Sequence, residues 1–356
     1  MSGPFGSSQW MYATGIPRTG ARGVFGGGIA SDNDNVIQYI TIASTGNATD
    51  FGNLTTVGYG LGSAPSNGSR AVFTGRDVGG GTRSNTMDYI TVASTGNATD
   101  FGDMTVARNY ANGASNGTRG AMAGGEDGGA KNTIDYITID TTGNATDFGD
   151  TLATVYAAAS VSNGTKGIWS GGVYSSTILN TIQQVTIDTT GNSTDFGDIT
   201  VSRHGATGMF SNTRGVIAGG RISGGDRVNT MDYITMASNG NATDFGDMTR
   251  IVREHGACGN ADRNMAFGGF YGSLQDTIEY INPASTSNTT DFGNLLNATY
   301  IIDGAETAIR GIMIGGSGAV SYENTIQYVT FASTGNSTDF GNLTVGRYAH
   351  ASGSGA

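Results

Sequence analysis

Thr45-Gly46-Asn47-Ala48-Thr49-Asp50-Phe51-Gly52 decides how this 356-residue chain is read. Close copies stand at 95–102, 142–149, 190–197, 239–246, 286–293 and 334–341. The shared aspartate falls at Asp50, Asp100, Asp147, Asp195, Asp244, Asp291 and Asp339, in steps of 50, 47, 48, 49, 47 and 48 residues. A fixed period of this size marks a repeat architecture, whose units bury their faces only against one another. Seven such units make one domain, where length alone would suggest two or three.

Aligned, the copies give four short strand candidates per unit, labelled A to D. In the third copy, 110–115 is strand A, Asn116-Gly117 is a hairpin turn, and 119–125 is strand B, closing on Gly124-Gly125. After a variable loop, 132–139 is strand C; the repeated motif then turns the chain into strand D at 148–154. Asn-Gly between two short apolar runs is a strong hairpin signal and recurs at Asn67-Gly68 and Asn163-Gly164. Strand C places Ile134 and Tyr136 on one face and Ile137 and Ile139 on the other, so it is expected to be covered on both sides. In the motif, Gly tolerates a left-handed backbone, while Asn, Thr and Asp accept hydrogen bonds from backbone N–H groups. The next residue is always aromatic: Phe51, Phe101, Phe148, Phe196, Phe245, Phe292 and Phe340. Burial of each ring is worth up to about 1.5–3 kcal/mol. These features predict an all-β chain, a seven-bladed β-propeller of four-stranded antiparallel blades. A linear β-solenoid is the rival, but its coils are usually shorter and need no four-strand hairpin grammar.

Composition excludes several functions. The 60 Gly and the abundance of Thr, Ser, Asn, Ile and Tyr suit short strands and tight turns. Twenty-nine acidic against 18 basic side chains give a net charge of −11, which argues against nucleic acid as a partner. No run approaches membrane-spanning length, so no membrane insertion is expected. The first ten residues carry neither a basic leader nor an apolar core, and the expectation is synthesis in a cytoplasm without an export signal. Asn-x-Ser/Thr triplets such as those at Asn47, Asn97 and Asn144 are then turn chemistry rather than glycosylation acceptors. Cys258, the one cysteine, stands in a small-residue stretch that suits a buried thiol.

Arg214-Gly215-Val216-Ile217-Ala218-Gly219-Gly220, a loop, Asn229-Thr230-Met231-Asp232-Tyr233-Ile234, and an Arg ahead of the next strand resemble the kelch repeat. The resemblance covers nearly the whole chain. The double glycine recurs at Gly26-Gly27, Gly124-Gly125, Gly171-Gly172, Gly219-Gly220, Gly268-Gly269 and Gly315-Gly316, with Thr74-Gly75 departing. The strand C tyrosine recurs at Tyr39, Tyr89, Tyr136, Tyr233, Tyr280 and Tyr328, with Gln184 the exception. The family's Trp is replaced by Phe, and its Arg is matched at Arg108, Arg203, Arg253 and Arg347. Strand A has two claimants for the first blade, one at each chain end. The C-terminal segment 345–356 is favoured, since pairing the two ends of the chain removes exposed edges and leaves 1–17 as an arm before a propeller at 18–356. That arm, with Gly3-Pro4-Phe5-Gly6-Ser7-Ser8-Gln9-Trp10, resembles the N-termini of virion structural proteins of marine tailed bacteriophages, as do the tandem kelch-like copies. The resemblance implies a protein that leaves the host by lysis, mounted on a particle among other virion proteins.

No catalytic residue, cofactor or metal is expected. Ser193-Thr194-Asp195-Phe196-Gly197 also resembles the Asp-box of sialidase-type propellers, in which the box is structural. Seven equivalent carboxylates are not the single separated pair that a glycosidase needs. A kelch-like copper oxidase would need clustered ligands, which His204, His255 and His350 do not evidently supply. Asp32-Asn33-Asp34-Asn35 reads as a solvated loop, and Gly79-Gly80-Gly81 lacks the Lys-Ser/Thr of a phosphate loop. Function is therefore sought in what varies. The B–C loops share neither length nor sequence and lie on one face with the D–A connections, opposite the uniform A–B and C–D turns. Arg76, Arg83, Tyr174, Arg221, Arg227, Phe270, Tyr271 and Tyr322 supply residue types suited to recognition there, for a host cell-surface glycan or protein or a neighbouring virion subunit.

Overall fold

The computed structural model describes residues 22–355, apart from 63, 261 and 320. The expected arm at 1–17 lies outside the described residues. The chain is an all-β propeller of seven antiparallel blades, and among the described residues its one helical element is a single 3-10 turn, Ser223–Gly225. Blade three is representative: strand A is Asn112–Ser115, B is Arg119–Ala123, C is Thr133–Thr138 and D is Thr146–Asp150. Blade one is completed by the C-terminal strand Ala351–Gly355, which pairs antiparallel with Arg22–Gly26. Blade two departs, because Pro65 in its A segment has no N–H to give. Gly62 donates to Thr74 O at 2.9 Å, Val72 donates to Pro65 O at 2.9 Å, and Ser66 bridges Ala71.

The second half of the motif proves to be strand D itself, and only its first half belongs to the turn before it. Strand D spans Thr146–Asp150, not 148–154, because the C–D ladder starts at Thr146 and bulges between Asp147 and Gly149. Phe148 is the extra residue of that bulge. The bulge aims its ring inward, where it is 3% exposed and meets Tyr136 edge-on with centroids 5.9 Å apart.

Each motif also joins its blade to the next one. Gly191 N–H donates to Phe148 O at 2.7 Å, Ser193 N–H to Asp150 O at 2.8 Å, and Asp150 N–H to Asn192 Oδ1 at 3.0 Å. The last motif meets the first in the same way: Gly46 N–H reaches Phe340 O and Ala48 N–H reaches Asn342 O. Gly149 must be glycine for this approach. Its φ is +140°, and a Cβ there would stand 2.5 Å from the Gly191 carbonyl carbon.

Apolar packing follows the same division. Seven clusters each fill the gap between two neighbouring blades: Ile134 and Phe148 pack with Trp169 of blade four, while Ile137 and Ile139 pack with Val72 and Met87 of blade two. Both faces of strand C are thus covered. Cys258 is buried in the cluster between blades six and seven. At the start of strand B, Arg119 lies 4.3 Å over the Tyr136 ring and donates to Ile187 O of the next blade at 3.1 Å. Where Lys166 replaces that arginine, Gln184 replaces the tyrosine, and both reach Asn239 Oδ1.

A buried polar layer lies where each D–A connection crosses strand C of the next blade. Arg108 pairs with Asp135 at 2.8 Å and Arg203 with Asp232 at 2.7 Å, all four side chains fully buried. Arg250 pairs with Glu279 at 2.7 Å. Burial lowers the pKa of these arginines, and the facing carboxylates offset only part of that shift. In two blades a neutral set replaces the ion pair, with Gln183 Oε1 accepting from Leu152 N–H and Ser193 Oγ, and Gln327 Oε1 from Leu296 N–H and Ser337 Oγ. At ring closure Arg347 turns to Asp34, 3.0 Å away, so the acidic segment at 32–35 is partly buried and not a solvated loop.

Candidate ligand-binding face

The two faces of the disk differ as the turns that build them differ. On one, Asn67 of an A–B turn donates to Asp140 of the next blade's C–D turn at 2.7 Å, and Asn116 donates likewise to Asp188. On the other, the D–A connections meet the B–C loops around the mouth of the central channel.

Each D–A connection bends through one residue of positive φ, including Tyr110 (53°), Ala157 (56°), Glu254 (54°), Ile301 (52°) and Ala349 (54°). A left-handed backbone is costly for these residue types. Here the bends are held by one another: Tyr110 N–H donates to Gly60 O at 3.0 Å, Glu254 to Gly205 O at 3.1 Å, and Ile301 to Glu254 O at 3.0 Å. Five such bonds join the seven bends in two arcs, one from Ala349 through Gly60 to Tyr110 and one from Ala157 through Gly205 and Glu254 to Ile301, and the bends fix the residue before each of them. Those residues are Tyr59, Asn109, Tyr156, His204, Arg253, Tyr300 and Tyr348. Each bridges the first residue of a B–C loop, respectively Asp77, Glu126, Val173, Arg221, Phe270, Ser317 and Ile29.

Charge is segregated among these seven pairs. At blades two and three, Arg83 pairs with Asp77 at 2.7 Å and reaches Glu126 at 3.3 Å. The Tyr59 hydroxyl donates to Asp77 at 2.8 Å, and burial together with that carboxylate pushes its pKa up to about 12. Each charged group of this cluster has an opposite charge within it. At blades four to six the balance is cationic, with Arg221, Arg227 and Arg253 around Glu254. Glu254 is buried and pairs with Arg253. Burial raises its pKa to about 7, against the pull of the three arginines. His204 is held down to about 4 by burial and by Arg221 and Arg253, so it is neutral near pH 7; its buried Nδ1 has no partner. A cavity of about 290 Å³ opens here, lined by Tyr156, Val173, His204, Arg221, Arg253 and Glu254 and roofed by the loop at 222–225.

Of the expected recognition residues, Arg221, Arg227 and Phe270 are brought together, with Arg227 and Arg253 5.7 and 5.5 Å from the Phe270 ring centroid. Tyr174 and Tyr271 are about half exposed, on separate two-residue hairpins. Tyr322 stacks on Tyr348, rings 9° from parallel, and Arg83 is paired with Asp77 and Glu126. Arg76 is not on the surface at all: it is fully buried against Asp88 at 2.7 Å, in the space left by Gly58. Arg253 is not equivalent to Arg108, Arg203 and Arg347. Counting back from the positive-φ residue, it stands one position later, which moves it from the buried layer onto the loop face. Tyr156, His204, Arg253 and Glu254 were not singled out as ligand residues. The available signal was the variability of the D–A column.

No metal-binding cluster of His, Cys, Asp and Glu occurs among the described residues. No helix among them is long and apolar enough to cross a membrane. The chain matches no protein-family model, and no curated protein is significantly similar to it.

Proposed function

We propose that this chain is a kelch-like virion protein of a tailed bacteriophage, displayed on tail, fibre or capsid, and that it works by binding rather than by catalysis. Its ligand is a glycan or protein of the host surface, or a neighbouring virion subunit, held by the face of B–C loops and D–A connections. The supporting observation is the contrast between the faces. One repeats the same turn chemistry from blade to blade, while the other sets a different residue pair at each of seven equivalent positions on hydrogen-bonded backbone bends. Variable loops on a fixed scaffold are where recognition is commonly placed. Exchanging residues 221–228 for 126–131 tests the reading: adsorption of the particle to its host should change, with the propeller still folded.

A second reading is favoured by the repeated exposed Thr-Asp pairs of strand D, such as Thr146 and Asp147. These make a uniform polar belt through which the disk could dock on a particle as decoration, and then the same loop exchange would leave adsorption unaltered.

A further inference from the structure

Nearly every described Arg and Lys side chain has at least one acceptor within the protein. Those that begin strand B reach carbonyls or a side-chain oxygen of neighbouring blades, and those beneath the loops pair with carboxylates. Two are different. Among the described residues, Arg221 and Arg227 alone have a cationic side chain with no protein hydrogen-bond or ion-pair acceptor, and Arg227 Nε is buried as well as unpartnered. They face each other across one loop, as an antiparallel bridge pair. Like charges placed directly opposite destabilise a strand pair, so this loop is built against its own stability. Arg253 adds a third guanidinium, and the one acid among them, Glu254, is already taken by Arg253. The Ser223–Gly225 turn folds back over Arg221: a Cβ on Gly225 would stand 3.2 Å from Arg221 Nη2. The guanidinium is thereby held at the wall of the cavity instead of extending into solvent.

The cavity sets the size of what enters. Its volume of about 290 Å³ is near the lower end of the ~300–1,000 Å³ usual for small-molecule sites, enough for one ring and its substituents. Tyr156 and His204 both line it, the imidazole neutral and its buried Nδ1 without a partner. One guanidinium without an acceptor at the cavity wall, Arg221, with the charge of Arg253 beside it, calls for an oxyanion, and an aromatic residue with a neutral imidazole in the lining suits a hydroxylated ring.

We propose that this cavity binds a single acidic sugar residue, its acid group held by Arg221 and Arg253 and its ring set against Tyr156. The proposal rests on the loop face being the ligand face and adds the ligand class. Carboxylate and sulfate share the required chemistry, so the probes separate them.

The experiment titrates the full chain calorimetrically with a uronic-acid oligosaccharide, with a sulfated neutral oligosaccharide and with its unsulfated parent. Saturable binding of either acidic probe, at least about tenfold tighter than the neutral parent, is the expected result, since a charged hydrogen bond of this kind is worth about a factor of ten or more. Arg221→Ser should weaken that binding about tenfold while leaving the melting temperature unchanged or higher, because it relieves the opposition to Arg227. Glu254→Gln should strengthen it, since it removes the one negative charge facing the ligand. Equal affinity for acidic and neutral probes, or an unaltered affinity in folded Arg221→Ser, overturns the proposal. So does absence of binding at millimolar probe, and if the loop exchange still alters adsorption, the broader reading stands without this one.

Discussion

Asn342 donates its backbone N–H to Oδ1 of Asn47 at 3.0 Å, across 295 positions of sequence. The same bond joins Asp150 to Asn192 at 3.0 Å over 42 positions. A closed ring has no first interface, so the junction between the last motif and the first is built like the others. Asn47→Ala and Asn192→Ala should therefore cost similar amounts, about 0.5–1.5 kcal/mol each for one lost acceptor. Urea denaturation of the two variants checks this; a much larger loss for either one would mean that the interfaces are unequal.

Gly149 and Gly143 separate backbone strain from close packing. Both have positive φ, at 140° and 153°. A Cβ on Gly143 meets nothing within 4 Å, whereas one on Gly149 meets the Gly191–Asn192 backbone. Gly143→Ala should cost about 1 kcal/mol, and Gly149→Ala more than about 3 kcal/mol, because the blades must part. Denaturation midpoints of the two variants measure the difference directly.

How far the sequence discloses this arrangement depends on whether a residue's partner is near it in the chain. The period, the Asn-Gly hairpins and the doubly covered strand C are legible because they depend on local turn chemistry and on alternation. The bulge at Phe148 is less so, since the same residues suit a turn or an irregular strand, and that ambiguity displaced strand D. Arg76 illustrates what local pattern cannot show. It stands in strand B one position before a variable loop, where a surface residue would be expected, and the absence of a side chain at Gly58, 18 positions earlier, lets it turn inward to Asp88. Arg253 fails for a related reason: a one-residue shift relative to Arg203 is invisible until the positive-φ residue at Glu254 fixes the register. The cationic cavity combines five separate chain segments, and no single stretch of sequence carries it.

The buried polar layer yields a prediction in which the chain supplies its own control. Blade three uses Arg108, Asp135 and Ala145 where blade four uses Val155, Gln183 and Ser193. Removing only the cation leaves an uncompensated buried carboxylate. Arg108→Val should cost about 3–5 kcal/mol. Adding Asp135→Gln and Ala145→Ser should recover most of that loss, because the glutamine would gain the hydroxyl partner that Gln183 has. Equilibrium unfolding of the single and triple variants decides, and a triple no more stable than the single would show that the two sets are not interchangeable.

Two buried groups at ring closure give stability opposite dependences on pH. His350 is buried beside Phe25 with both ring nitrogens unpartnered, and burial together with Arg347 lowers its pKa to about 3. An imidazole that is neutral in the fold takes up its proton more readily when unfolded. Its contribution is complete above the unfolded value of about 6.5 and is lost as pH falls from there toward 3. Asp303, 3.9 Å from His350, runs the other way. Burial raises its pKa to about 7, against the hydrogen bonds from Ser352 and Gly304 that favour its charged form. Stability from this group is complete below the unfolded value of about 3.9 and is lost as pH rises to 7, by up to about 1.4 kcal/mol per pH unit. Asp303→Asn should therefore leave stability near pH 4 little altered and raise it progressively up to pH 7, with a constant gain above. His350→Leu, which introduces the residue found at the equivalent Leu61, should flatten the loss between about 6.5 and 4. Melting temperatures of both variants from pH 4 to 9, against the parent chain, give the two slopes, and slopes of the same sign would refute the assignment of these groups.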